Sequence, residues 1–114
     1  MSEDTQELKG FDVEGALARV AGNKNLYRKL LGMFAQNYKS AGEDLDRLVS
    51  GGSMEEARAL AHTIKGVAGN IGATDLFEAA KVLNETLVTG DYTTEQVETF
   101  KTALVESIKT AQEF

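Results

Sequence analysis

The chain holds one histidine, His62, within Ala61-His62-Thr63-Ile64-Lys65-Gly66-Val67-Ala68-Gly69-Asn70-Ile71-Gly72-Ala73. An imidazole with an ordinary pKa of ~6.5 is largely neutral at pH 7 and has a free ring lone pair. It can attack phosphorus without a second base. Lys65, one turn on, would favour the neutral ring and then stabilise a phosphoryl group of about −1.5 to −2 charges. General acid–base work needs a cleft and a tuned pKa, which a helix surface does not offer. The absence of cysteine excludes a thiolate nucleophile, a disulfide framework and a Cys-ligated metal. A lone histidine also excludes a His-rich metal site. No Ser–His–Asp arrangement is visible in the sequence.

The helix that carries His62 is expected over 54–70. At about 100° per residue, Ala57, Leu60, Ile64, Val67 and Ala68 centre about 190° from His62. The histidine therefore points to solvent. Around it lie Gly66, Gly69 and Ala59, with Arg58 and Lys65 on one flank. Glycine inside a helix costs about 0.5–1 kcal/mol relative to alanine. Gly66 and Gly69 either admit the close approach of another molecule or prepare the helix end. The plain alternative is a solvated histidine beside two solvated cations.

The remaining elements follow from caps and periodicity. A short helix is expected over 12–20, with Asp12 as a cap, broken by Gly22-Asn23. Asn23 then caps one long helix over 24–49. Its apolar stripe is Tyr27, Leu31, Phe34, Tyr38, Ala41, Leu45 and Leu48. Gly32 and Gly42 weaken that helix, with a bend expected near Gly42. Leu26, Leu30 and Met33 form a second apolar row, read as core, with partner docking as the alternative. Gly51-Gly52 ends the helix, and Ser53 with Glu56 reads as a capping box. Gly72 closes the His62 helix. Thr74 is expected to cap the next, which carries Leu76, Ala80, Leu83 and Leu87 and stops at Gly90. Thr93 with Gln96 reads as a second capping box, opening a last helix with Val97, Phe100, Leu104, Ile108 and Ala111.

No segment alternates with period two. The pattern predicts an all-α fold: an antiparallel up-down four-helix bundle with a short additional N-terminal helix. Residues 1–10 read as a disordered tail and 11–114 as the domain. The chain has 114 residues, one domain's worth, with 12 basic and 18 acidic residues and a net charge of −6. That balance argues against nucleic-acid binding. No apolar run approaches the ~18 residues of a membrane span, and the polar, acidic N-terminus is not a signal peptide. A cytoplasmic location is expected, or the cytoplasmic C-terminal part of a membrane sensor kinase.

The thirteen residues 61–73 closely resemble the signature of histidine-containing phosphotransfer (Hpt) domains, in which His-x-x-Lys-Gly is followed by a Gly-Ala pair closing the helix. Phe11-Asp12-Val13-Glu14, Ala18-Arg19-Val20, Leu26-Tyr27, Leu30-Leu31 and Phe34 also look like this family. The resemblance covers nearly the whole chain after residue 10. It implies a four-helix bundle in which His62 is phosphorylated at Nε2 and relays the group between aspartates of response-regulator receiver domains. Lys65 is then the charge partner of the phosphate, and Gly66 the small residue that permits docking. Gly69 and Arg58 are possible support. A polar side chain on the following helix, commonly Gln in the family, faces the site. That position is Asn84 here.

The resemblance further implies a phosphocarrier rather than an enzyme, with no cofactor of its own and Mg²⁺ on the partner receiver. Gly66-Val67-Ala68-Gly69 lies inside a helix and is no P-loop, so no ATP binding is expected. The partner kinase could be a hybrid sensor histidine kinase in the same or another chain, and the bundle is expected to be monomeric. Two other readings stand beside it: the His-bearing domain of a chemotaxis-type kinase, which has a similar motif, and an adaptor bundle without the chemistry.

Overall fold

A computed structural model describes residues 8–114. Among these, six helices run in the order α1 (Val13–Arg19), α2 (Lys24–Asn37), α3 (Ala41–Ser50), α4 (Met54–Ile71), α5 (Thr74–Thr89) and α6 (Thr94–Ala111). The only extended pairing among them is an isolated bridge between Phe11 and Ala73. The fold is all-helical, as expected, and elongated, measuring 48 × 21 × 20 Å.

The expected helix over 24–49 is two helices, not one bent at Gly42. The chain leaves helical geometry at Tyr38, and Ala41 N–H donates to the Tyr38 carbonyl at 3.0 Å. Helix α3 then restarts, with Asp44 N–H on the Ser40 carbonyl and Glu43 and Asp44 in its first turn, where they complement the dipole. The apolar period survives this break because Tyr27, Leu31, Phe34, Ala41 and Leu45 all reach one core. Gly42 sits inside the first turn of α3, where an added Cβ would lie 3.5 Å from Lys101 Cγ. Lys101 in turn joins α6 to α3, donating to Asp46 at 2.6 Å, and also bonds Glu98. Both hydrogen bonds hold its pKa above the ordinary lysine value.

Of the expected tail, residues 1–7 lie outside the described residues. Leu8 is 5% exposed and belongs to the core, so the packed chain begins before residue 11. The segment after it seals the α4–α5 turn. Asp12 N–H donates to the Gly72 carbonyl at 2.7 Å, and Thr74 Oγ1 donates to the Gly10 carbonyl at 2.9 Å. Thr74 is thus the first residue of α5 rather than its cap, which is Ala73. Asp12 does cap α1, accepting from Gly15 N–H at 3.0 Å.

The capping boxes divide. Thr93 and Gln96 exchange both bonds of the box at 3.1 Å. Ser53 makes no side-chain cap hydrogen bond, so the sequence pattern there is not realised. The N-terminus of α4 has Glu55 and Glu56 in its first turn, which suit its dipole.

Helices α4 and α5 make the most extensive pairing in the molecule, and the turn between them fixes their register. Gly72 closes α4 in the left-handed region at φ +81°. A Cβ there would also lie 2.5 Å from the Asp12 carbonyl oxygen, so only glycine fits. Tyr27, 1% exposed, donates its hydroxyl to the Ile71 carbonyl at 2.7 Å. This satisfies one of the carbonyls that a helix end leaves open and anchors α2 to the C-terminal end of α4. Burial, with a smaller push from the Asp12 carboxylate and some opposition from Arg19, raises the Tyr27 pKa to about 12.

Candidate functional site

The apolar stripe of α4 turns His62 outward. Ala57, Ala61, Ile64, Ala68 and Ile71 are buried, Leu60 and Val67 pack at the edge of the core, and His62 is exposed. The expected orientation therefore holds. Gly66 is exposed too, and a Cβ built on it meets nothing within 4 Å. Neither backbone angle nor internal packing calls for glycine there. Gly69 is different: its Cβ would lie 3.3 Å from the Phe77 ring, so this glycine admits α5. The two glycines that the sequence groups together thus serve different ends.

The Gly69–Phe77 contact sets the level of everything along the hairpin. His62 lies seven residues before Gly69 on α4, and Asn84 seven residues after Phe77 on α5. Seven residues are about two turns, so each pair repeats on the same flank of its helix. Asn84 is therefore level with His62. Its Oδ1 is buried and has no hydrogen-bond partner among the described residues. Such an orphaned acceptor is rare, because an unpaired buried polar atom costs about 1–3 kcal/mol.

Three residues in from His62 and Asn84, toward the turn, stand Lys65 on α4 and Lys81 on α5. They are level with each other. Lys65 is half-buried and Lys81 exposed. Arg58 lies one turn before His62 on the flank that Lys65 occupies, and it is half-buried. None of these three cations takes part in an ion pair among the described residues. Motif spacing does not single out Lys81. Only the hairpin register does, and that depends on the turn at Gly72.

Helix α2 borders the same surface. Its N-terminal end is tied to the end of α4 through Tyr27, and the chain continues through α3 to the start of α4, so α2 runs opposite to α4. Six residues along from Tyr27, Met33 is about level with Lys65, six back from Ile71. Arg28 stacks over Phe114, 5.3 Å from the ring centroid, beyond the end of α6. At helical spacing, Leu26, Leu30 and Met33 fall on the flank of α2 opposite Arg28. The favoured expectation that this row is core fails for two of the three. Leu26 is 41% and Met33 48% exposed, while Leu30 packs against the core. A helix can keep a full core stripe and still carry a second apolar row, and periodicity cannot distinguish the two when they adjoin.

The surface around His62 is open. A groove of about 570 Å³ runs along α6 past Lys9, Asp75 and Glu98 and does not include His62. No group of three or more His, Asp or Glu side chains among the described residues is placed to hold a metal. No helix of the described residues is long and apolar enough to cross a membrane. The arrangement offers a nucleophile, cations on both helices and an uncluttered approach, but no walls to enclose a reaction.

Searches of curated proteins and of solved structures returned no match. A family model, by contrast, matches residues 29–113, which take in most of α2 and all of α3, α4, α5 and α6. Its description is Hpt domain. That span holds the exposed histidine and the hairpin that surrounds it, and it covers well over half of the sequence. The chain belongs to the Hpt domain family.

Proposed function

We propose that His62 carries a phosphoryl group between aspartates of response-regulator receiver domains. Family membership implies histidine phosphotransfer in two-component signalling, and the relay between receivers is the finer reading. In it, α2 with α3, α4, α5 and α6 make up an antiparallel four-helix bundle whose role is to hold His62 at the surface. The observation that carries the reading is the pairing of an exposed nucleophile with the open position at Gly66 one turn on. A partner's backbone can come closest there.

The lone pair of His62 Nε2 attacks phosphorus of the aspartyl phosphate. The P–N bond forms as the P–O bond to the aspartate breaks, and the aspartate leaves as a carboxylate. The Nδ1 proton stays on the ring. Transfer is in line with a loose transition state, so positioning and charge supply most of the catalysis. Lys65 balances charge on the transferring group. Asn84 reaches over from α5, its amide N–H groups available to a phosphoryl oxygen, with Gly69 and Arg58 as support. The receiver brings the acidic pocket and Mg²⁺. Leu26 and Met33 offer apolar contact beside the site. As a carrier completed by its partner, the protein acts without ATP. The reading places it in the cytoplasm as a monomer.

The test is transfer from a panel of phosphorylated receiver domains to wild type and to His62→Gln. Acid-labile, base-stable labelling of wild type alone supports the reading. Labelling only from a chemotaxis-type kinase core with ATP would move the protein to that class. No labelling from either source would leave a bundle without the chemistry.

A further inference from the structure

We propose that Lys81 is a second cationic group of the transfer site, acting from α5 as Lys65 acts from α4. The proposal rests on the phospho-His62 reading and extends it to a residue outside the sequence motif. Phe77 packs on Gly69, and that contact makes Lys81 level with Lys65, one turn from His62. Around α5, Lys81 falls about 40–60° outside Phe77 and Asn84, on the solvent side of the α4–α5 cleft. His62 lies on the solvent side of the same cleft, and both residues are exposed.

The reach is sufficient. Packed helices lie about 8–10 Å apart, and the axial offset between Lys81 and the His62 level is about 5 Å. A lysine side chain, with its flexible four-carbon stem, spans the remaining gap to a phosphoryl group that itself projects from the ring. Lys81 is also free to do so. In a chain of 18 acidic and 12 basic residues, Lys101 is held by Asp46 and Glu98, and Arg47 by Asp44, whereas Lys81 has no ion-pair partner among the described residues. The acids nearest to it in sequence on α5, Glu78 and Glu85, lie farther round toward solvent and do not pair with it. A phosphoryl group of about −1.5 to −2 charges is matched by two lysines better than by one. The same two charges would steer the acidic pocket of a receiver onto an otherwise acidic protein.

The experiment separates the two claims. Wild-type protein is treated with phosphoramidate, a donor that needs no receiver, and the lysine ammonium signals are followed by NMR. Transfer from a phosphorylated receiver is then timed for Lys81→Gln and for Lys109→Gln, an exposed lysine on α6. The expected result is a shift of the Lys81 signal on phosphorylation and a transfer rate lowered about threefold to tenfold in Lys81→Gln alone, with a weaker salt dependence. Phosphohistidine formation with an unmoved Lys81 signal, and equal rates in the two variants, would overturn this proposal alone. Failure to form phosphohistidine from either donor would overturn the His62 reading and this proposal with it.

Discussion

Gly66→Ala should raise stability and lower transfer, and the two signs together are diagnostic. The added methyl meets nothing within 4 Å, and the position is inside α4 without a positive φ. Helix propensity alone then predicts a gain of about 0.5–1 kcal/mol. For a domain near 100 residues this is about 2–8 °C in Tm. If a receiver packs directly over Gly66, the same methyl overpacks that interface, at a cost of about 1–3 kcal/mol. Transfer should fall about tenfold or more, since ~1.4 kcal/mol is a factor of ten. Gly32→Ala is the control: it is equally open, inside α2, and should gain stability without loss of transfer. Thermal denaturation gives the first quantity, and single-turnover transfer from a phosphorylated receiver the second. A destabilised Gly66→Ala would show that the fold itself requires the glycine. A stable variant that transfers within twofold of wild type would show that no partner approaches there.

Other consequences concern the frame that holds the site. Tyr27→Phe leaves the Ile71 carbonyl without its 2.7 Å donor and should cost about 1–3 kcal/mol at pH 7 by urea unfolding. The folded state holds the Tyr27 proton more tightly, at about 12 against 10.0. That contribution is complete below pH 10 and is lost as pH rises toward 12, so the wild-type advantage over Tyr27→Phe should narrow across that window. A constant difference would contradict the assignment. Thr93→Ala should cost about 1 kcal/mol, because the Thr93–Gln96 box is formed, whereas Ser53→Ala should change stability far less, because Ser53 caps nothing. Equal losses at the two positions would count against that distinction.

Much of this is legible in the sequence, for reasons that differ by element. Helices α4 and α5 end where glycine takes positive φ, at Gly72 and Gly90, and such stops are explicit in sequence. The outward His62 follows from a stripe of Ala57, Ile64 and Ala68 whose period admits one solution. The α2–α3 break was not legible in the same way, because no glycine or proline occupies 38–40 and the apolar stripe continues across it. The available signal was Ser40 followed by Glu43 and Asp44, the acidic first turn of a new helix. Ser53 shows the reverse error: its capping pattern is present, but the local backbone, φ −83° and ψ 63°, does not form the side-chain bond. Asn84 could be placed only by analogy, and Lys81 not at all, because both depend on the register that Gly69 and Phe77 impose. The exposure of Leu26 and Met33 is not legible either, because a second apolar row adjoining the core stripe has the same period.

The most direct test of the central claim is to locate the phosphoryl group. Wild-type protein phosphorylated by a receiver domain should show a single phosphohistidine resonance in ³¹P NMR, coupled to the His62 ring and bonded at Nε2. It should be lost in acid and kept in base. A phosphoryl group on any other residue, or none on a folded protein offered a competent phosphorylated receiver, would contradict the account.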